Sequence, residues 1–245
     1  MVKNMKIGLQ MYSIRSLAQE DLKQALKTAA EIGYQGVEFA GFFGHSAGEV
    51  RGWLEEFGLE AMGAHISEEE LFDRTEETIA FHKAIGNHRM ICPWSNLKTR
   101  ADAEALAAKF RAAAPRYEAE GMKLYYHNHA HEFAKDGGDY LIDILAEAAP
   151  DVSLEFDVYW VYRGGENPVA YLNKYAGRVE IFHAKDGNME TGTIAGTGNV
   201  PLPEVVETAK RLGMSWAIVE SEASEEKDAQ VDGAAKDYAY LSTLI

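Results

Sequence analysis

Cysteine is nearly absent from this chain. Cys92 is the single thiol among 245 residues, so no internal disulfide can form. Its place in the apolar run Met90, Ile91, Cys92 predicts a small buried side chain in a protein of a reducing compartment. Proline is scarce as well, at six residues, and no stretch rich in Pro, Gly and Ser marks a linker between domains. Positive charge falls short of negative: 24 Lys and Arg face 39 Asp and Glu, for a formal net charge of −15. Such a surface repels phosphate backbones and anionic bilayers, so neither nucleic acid nor membrane is an expected partner. Long apolar runs are missing too. None approaches the roughly 18 residues of a membrane span, and the opening MVKNMKIGLQMYS lacks the continuous apolar core of a secretory leader. The expectation is a soluble cytoplasmic protein acting on small molecules, with homo-oligomerisation left open.

What the chain does have is a repeating alternation of short apolar runs and amphipathic stretches, punctuated by glycine. Lys6 to Met11 reads as a strand, after which Leu22, Ala25, Leu26 and Ala29 recur at helical spacing up to Gly33. Gly36 to Phe39 is the next strand. Ser46 with Glu49 has the form of a capping box, opening a helix that stops at Gly58 before the strand Leu59 to Ala64, with His65 at its tip. Ser67 with Glu70 opens a third helix running to Gly86, and Arg89 to Cys92 follows as a strand. Thr99 with Asp102 opens an alanine-rich fourth helix that should reach Gly121, kinked or split by Pro115. Strand five, through Leu124, Tyr125 and Tyr126, leads to a helix from Asp139 to Ala148 and a strand from Val152 to Phe156 ending in Asp157. Then come a helix Pro168 to Tyr175, a strand Arg178 to Phe182 with His183 at its tip, a helix Pro203 to Leu212, and a strand Trp216 to Val219 leading into Glu220. The polar tract Ser221 to Asp232 reads as a loop, and Ala234, Tyr238, Leu241 and Ile245 line one side of a closing helix.

Glycine recurs ahead of the strands at Gly33, Gly58, Gly86, Gly121, Gly177 and Gly213, a near-regular period that fits one closed unit over residues 1–245. Eight strands alternating with eight helices predict a single-domain α/β (β/α)8 TIM barrel, which commonly occupies roughly 200 to 250 residues. An open doubly wound sheet is the runner-up, but no GxGxxG turn follows the first strand.

Strand ends of such a barrel share one mouth, where the active sites of this fold lie. The polar residues falling there are Glu38 after strand two, His65 after three, Asp157 after six, His183 with Lys185 and Asp186 after seven, and Glu220 after eight. The densest group follows strand five, in MKLYYHNHAHEF (122–133). If the strand continues through it, His127, His129 and His131 share one face and Asn128 and Glu132 the other. Carboxylates and imidazole converging from adjacent strands suit a divalent ion of the manganese, magnesium or cobalt kind, with open positions for substrate oxygens. Trp94, Tyr159 and Trp160 either wall a pocket against sugar C–H surfaces or pack in the core.

Eight segments carry a resemblance: GLQMYSIR at 8–15, GYQGVEFAG at 33–41, GAHIS at 63–67, YYHNHAHEF at 125–133, LEFDVYW at 154–160, FHAKDG at 182–187, GTGNVP at 196–201 and IVESE at 218–222. In order and spacing they resemble the sugar phosphate isomerase/epimerase group of xylose isomerase-like TIM barrels. The resemblance implies one divalent cation held by Glu, Asp, His and Glu from the last four strands, which carries over to Glu132, Asp157, His183 and Glu220. Manganese is favoured, with Mg2+, Co2+ or Zn2+ as alternatives. Strand alternation alone favours His127 or His129 at the first of these positions; Glu132 is chosen because proton abstraction beside a carbonyl calls for a carboxylate. The chain departs from the ketose 3-epimerases and apurinic-site endonucleases of the superfamily, whose DxxH element after strand six has Trp160 here in place of the histidine.

The implied substrate is a keto sugar or polyol ketone. Glu132 and Glu220, on opposite sides of the reacting carbon, would remove and return a proton through an enediolate, giving isomerisation or epimerisation. Glu38, His65, His127, His129, Trp160 and Lys185 are the expected substrate contacts, and Lys185 has the plainer alternative of pairing with Asp186. The same enediolate can expel a β-hydroxyl or a glycosidic oxygen, which would make the protein a lyase acting on keto-inositol or a 3-keto-glycoside. A sugar-binding barrel without catalysis is a third reading.

Overall fold

The computed structural model describes residues 5–222 and 224–245. The first four residues of the stretch read for a leader, and one position of the tract 221–232, lie outside the described residues. Eight parallel strands close into a barrel: β1 Lys6–Gln10, β2 Gly36–Phe39, β3 Glu60–His65, β4 Arg89–Cys92, β5 Lys123–His127, β6 Ser153–Asp157, β7 Ile181–His183 and β8 Trp216–Val219. The ring is completed where Lys6 to Leu9 pair with Trp216 to Val219. Around it lie α1 Leu22–Ile32, α2 Ala47–Phe57, α3 Thr75–Ile85, α4 Arg100–Ala119, α5 Leu141–Ala148, α6 Pro168–Lys174, α7 Leu202–Arg211 and α8 Lys227–Leu241. The expected single-domain (β/α)8 barrel is therefore the fold. Among the described residues no helix is long and apolar enough to cross a membrane.

Strand side chains alternate between two environments. Leu9, Val37, Leu154, Phe156, Phe182 and Val219 join the helices in the main core, whereas Met62, Ile91, Tyr125, Ile181, Trp216 and Ile218 form a separate apolar floor. Burial on both faces is why the strands read as unbroken apolar runs. Two residues past Tyr125, Ile181 and Ile218, on the same face, stand His127, His183 and Glu220, so the barrel changes from apolar to polar within one step of the pleat. Gly33 (φ 118°) and Gly86 (φ 79°) end α1 and α3 in the left-handed conformation that glycine adopts without a Cβ clash.

Several boundaries differ from the sequence reading. Ser67 and Glu70 do bond reciprocally, Glu70 N donating to Ser67 Oγ at 3.3 Å and Ser67 N to Glu70 Oε2 at 3.4 Å. The helix nevertheless breaks after one π turn, Glu69–Asp73, and restarts at Thr75, whose hydroxyl donates back to Leu71 O at 2.9 Å. Pro115 does not split α4, which continues through it to Ala119; the burial of Phe110, Ala113, Ala114 and Tyr117 holds the turn around it together. Strand β7 starts at Ile181 rather than Arg178, whose backbone N–H still bonds back to Tyr175 O at 2.9 Å in the turn that closes α6. The tract read as a loop through Asp232 is helical from Lys227.

Candidate functional site

The last inward side chains around four adjacent strands meet at one place. His127 closes β5, Asp157 closes β6, His183 closes β7 and Glu220 follows β8, and one ligating atom from each lies within 4.8 Å of the others. All four residues are buried. His127 Nε2, Asp157 Oδ2, His183 Nδ1 and Glu220 Oε2 have no hydrogen-bond partner. Nδ1 of His183 and Oε2 of Glu220 are 2.7 Å apart without the alignment of a hydrogen bond, and Asp157 Oδ2 stands 3.8 Å from both His127 Nε2 and His183 Nδ1. Orphaned polar atoms are costly in a protein interior. Four of them clustered form a donor set that could hold a divalent ion.

The remaining polar atoms of these side chains are tied down. His127 Nδ1 lies 3.2 Å from Pro93 O. Asp157 Oδ1 accepts from Tyr159 N at 2.9 Å and Trp160 N at 3.0 Å, capping the helical turn Val158–Arg163. His183 Nε2 lies 2.8 Å from Glu38 Oε1, and Glu220 Oε1 accepts from Lys185 Nζ at 3.4 Å. Such partners fix which lone pairs face the cluster.

A second group, buried Glu38 and Glu155 with the partly buried His65, is packed against His183. Glu38 Oε1 accepts from Gln10 Nε2 at 2.6 Å and lies 3.0 Å from His65 Nε2. Glu155 Oε2 is 3.4 Å from His65 Nε2 and 3.6 Å from His183 Nε2. Two enclosed carboxylates this close do not ionise equally. Burial and then the charge of Glu38 push Glu155 up to about 7. Burial opposes ionisation of Glu38 as well, but the imidazoles of His65 and His183 outweigh it and hold that carboxyl well below its usual range. Burial would lower His65, yet the Glu38 carboxylate beside it prevails and holds it up at about 9. His127 and His129 are lowered by burial, His129 to about 3.

Glu132 is not brought to the cluster. Strand β5 ends at His127 and the chain turns, so His127, His129 and His131 do not continue along one strand face; Glu132 falls in the short turn His131–Phe133. Its carboxylate accepts from the Tyr126 hydroxyl at 2.7 Å and from His129 N at 2.9 Å, and lies 3.3 Å from His131 Nδ1. His127 occupies the position among Asp157, His183 and Glu220 that the resemblance gave to Glu132. Lys185 is buried and pairs with Glu222 at 2.6 Å and Glu220 at 3.4 Å, not with Asp186. Asp186 instead accepts from the backbone N–H of Gly187, Gly196, Gly198 and Val200, tying down the loop that carries GTGNVP.

A cavity of about 410 Å³ opens onto His65, Trp94, His127, His129, Glu220 and Glu222. Trp94 is 53% exposed there, while Tyr159 is core. Trp160 packs on both His129 and Lys185, with its ring centre 5.2 Å from the imidazole centre and 4.8 Å from the ammonium nitrogen.

Residues 26–244 match the family described as xylose isomerase-like TIM barrel. The chain belongs to this family. An inosose dehydratase of Geobacillus kaustophilus is 27% identical over 190 residues, 66% of this chain and 61% of that protein. An inosose dehydratase of Clostridium beijerinckii is 41% identical over 71 residues, 28% and 23% of the two chains. The chain thus spans less than two thirds of the length of these curated relatives. A sugar phosphate isomerase/epimerase from Parabacteroides distasonis superposes with a TM-score of 0.84 at 24% identity, covering 98% of this chain and 94% of the other. An L-ribulose 3-epimerase does so with a TM-score of 0.75 at 15% identity, covering 98% and 94%. At those identities the solved structures speak to the fold alone.

Three residues of this xylose isomerase-like barrel escaped the sequence reading. Glu155 sits two positions before Asp157 in Leu-Glu-Phe-Asp, and alternation puts both on the inward face; that was the available signal. Gln10, fully buried at the end of β1, holds Glu38. Glu222 was hidden in an acidic tract that reads as solvated surface, and only the fold brings it to Lys185.

Proposed function

We propose that this chain is a divalent-metal-dependent enzyme that removes the proton beside the carbonyl of a polyhydroxylated ketone, and that the resulting enediolate loses a β-substituent, as in a dehydratase. The observation that carries this reading is the convergence of four buried ligating atoms that make no aligned hydrogen bond, His127 Nε2, Asp157 Oδ2, His183 Nδ1 and Glu220 Oε2, with His127 and Glu220 opening onto the cavity. A cation held there supplies Lewis-acid polarisation of the ketone and offsets developing negative charge. Two imidazoles with two carboxylates draw manganese, cobalt, iron or zinc ahead of magnesium.

The side chains around the cavity are unequal in a way that suits elimination. Burial opposes the charge on Glu220, but Lys185 outweighs it and keeps the carboxylate ionised as the base. Across the cavity His65, held cationic by Glu38, is an acid able to protonate a departing oxygen, while Lys185, paired with Glu220 and Glu222, stands behind the base. Glu132, the other expected base, is engaged by Tyr126 and His129 N. The name inosose dehydratase, borne by the curated relatives, points the same way. Epimerisation or isomerisation is the second reading, favoured by His129, whose Nδ1 is buried without a partner and whose ring is neutral.

The test is incubation of the manganese-loaded protein in deuterated water with inosose, free ketoses and 3-keto-glucosides, followed by NMR. An unsaturated or deglycosylated product supports the lyase. Deuterium uptake with every oxygen substituent retained supports the epimerase or isomerase, and no exchange on any compound favours a sugar-binding barrel.

A further inference from the structure

Resting on that reading, we infer that the substrate ring carries an apolar aromatic substituent seated in a second cavity beside the first, so that the compound processed is an aryl glycoside ketone and not a bare keto sugar. The second cavity, about 450 Å³, is lined by Phe42, Phe43, Ile66, Thr78, Phe81 and His82 among others. It adjoins the first: His65 lines both, and the chain passes from Ala40 on one wall to Gly41 on the other. A volume near 400 Å³ lies within the usual range for one small-ligand pocket, roughly 300 to 1,000 Å³. The polar cavity is therefore adequate for a sugar ring by itself, and the second is additional space.

Its lining selects the chemistry. The Phe42 ring centre is 4.5 Å from Phe81 and 5.5 Å from His82. His82 presents a neutral aromatic face, because Asn87 Nδ2 donates to its Nδ1 at 3.0 Å. The charged residues of the lining are Glu70, Glu77 and Arg74, with Arg74 3.6 Å from Glu70 and 3.4 Å from Glu69, so this wall is acidic on balance and disfavours a phosphate-bearing substituent. Phe43 adds an independent sign. It is 46% exposed, and among the described residues it is the one non-glycine with positive φ, at 51°. A bulky residue held in the left-handed region so as to show its ring to solvent is strain of the kind found at ligand clamps.

Calorimetric titration of the manganese-loaded chain with methyl and phenyl 3-keto-β-glucoside, in wild type and Phe43→Ala, tests this. The phenyl ketone should bind at least about tenfold more tightly than the methyl ketone, a ratio worth roughly 1.4 kcal/mol. Phe43→Ala should weaken the phenyl ketone at least threefold and leave the methyl ketone unchanged. Equal affinities in wild type, or a preference untouched in Phe43→Ala, would overturn the inference while leaving the keto-sugar site standing. Failure of both ketones to bind would sink the keto-sugar reading and the inference with it.

Discussion

Nε2 of His183 lies 2.8 Å from Oε1 of Glu38, while Nδ1 of the same ring faces Glu220 Oε2 at 2.7 Å without a hydrogen bond. Glu38 therefore decides which nitrogen is turned to the cluster. It does so from β2, on the far side of the barrel from the strands that supply the donors.

Replacing Glu38 should be felt at the proposed cation site. Glu38→Gln keeps the shape but removes the charge behind the imidazole, and manganese affinity measured by calorimetry should fall about 10- to 100-fold. Gly63→Ala should act in the same direction, since an added Cβ would stand 2.7 Å from Glu38 Oε2 and 2.8 Å from Ile91 Cδ1. Unchanged affinity in both variants would count against Glu38 as the positioning residue.

Metal preference follows from the donor set. With His127 in place, the chain should bind Mn2+, Co2+ or Zn2+ at least about tenfold more tightly than Mg2+. His127→Glu, which exchanges an imidazole for a carboxylate, should narrow that gap. Competition titrations read both, and a wild-type preference for Mg2+ would refute the assignment of His127.

Lys185 is enclosed between Glu220 and Glu222. If the proposed ketone chemistry holds, Lys185→Met should lower kcat by about 10²- to 10⁴-fold, the usual span for a group that assists proton transfer, with much smaller loss of ligand binding by calorimetry. Equal losses in both measurements would assign Lys185 to holding the site together.

Away from the cluster, His82 should make stability depend on pH. Burial lowers it from 6.5 to about 4. Its Nδ1 accepts from Asn87, whose amide orientation is fixed by bonds to Arg89 O and from Arg89 N, both at 3.0 Å. Below pH 6.5 the unfolded chain binds this proton more readily than the folded one, so the contribution is complete above that pH and lost as pH falls toward 4. The difference is on the order of 3 kcal/mol. Urea unfolding at pH 4.5 and 7 in wild type and His82→Gln checks it; a pH slope unaltered by the substitution would contradict the prediction.

The barrel was legible because its signals are local and repeated: apolar runs at strand length, capping boxes such as Ser46 with Glu49 and Thr99 with Asp102, and glycine at helix ends. Asp157, His183 and Glu220 were legible for the same reason, each ending an apolar run. The strand-five position was not settled by the motif, because that depends on where β5 stops. It stops at His127, and the turn that follows hands Glu132 to Tyr126 and His129 N. Glu155 was obscured by its neighbours, since a lone carboxylate between Leu154 and Phe156 reads as part of a strand until the paired strand supplies His183 and β3 supplies His65. The pairing of Lys185 with Glu222 joins β7 to the segment after β8, a contact between two loops that neither segment's own pattern encodes.

The most direct measurement is an anomalous difference map, recorded at the manganese edge, from crystals grown with Mn2+. One peak should lie within coordinating distance of His127 Nε2, Asp157 Oδ2, His183 Nδ1 and Glu220 Oε2. A map with no peak among those atoms, or with the ion bound by Glu132 in place of His127, would contradict the account.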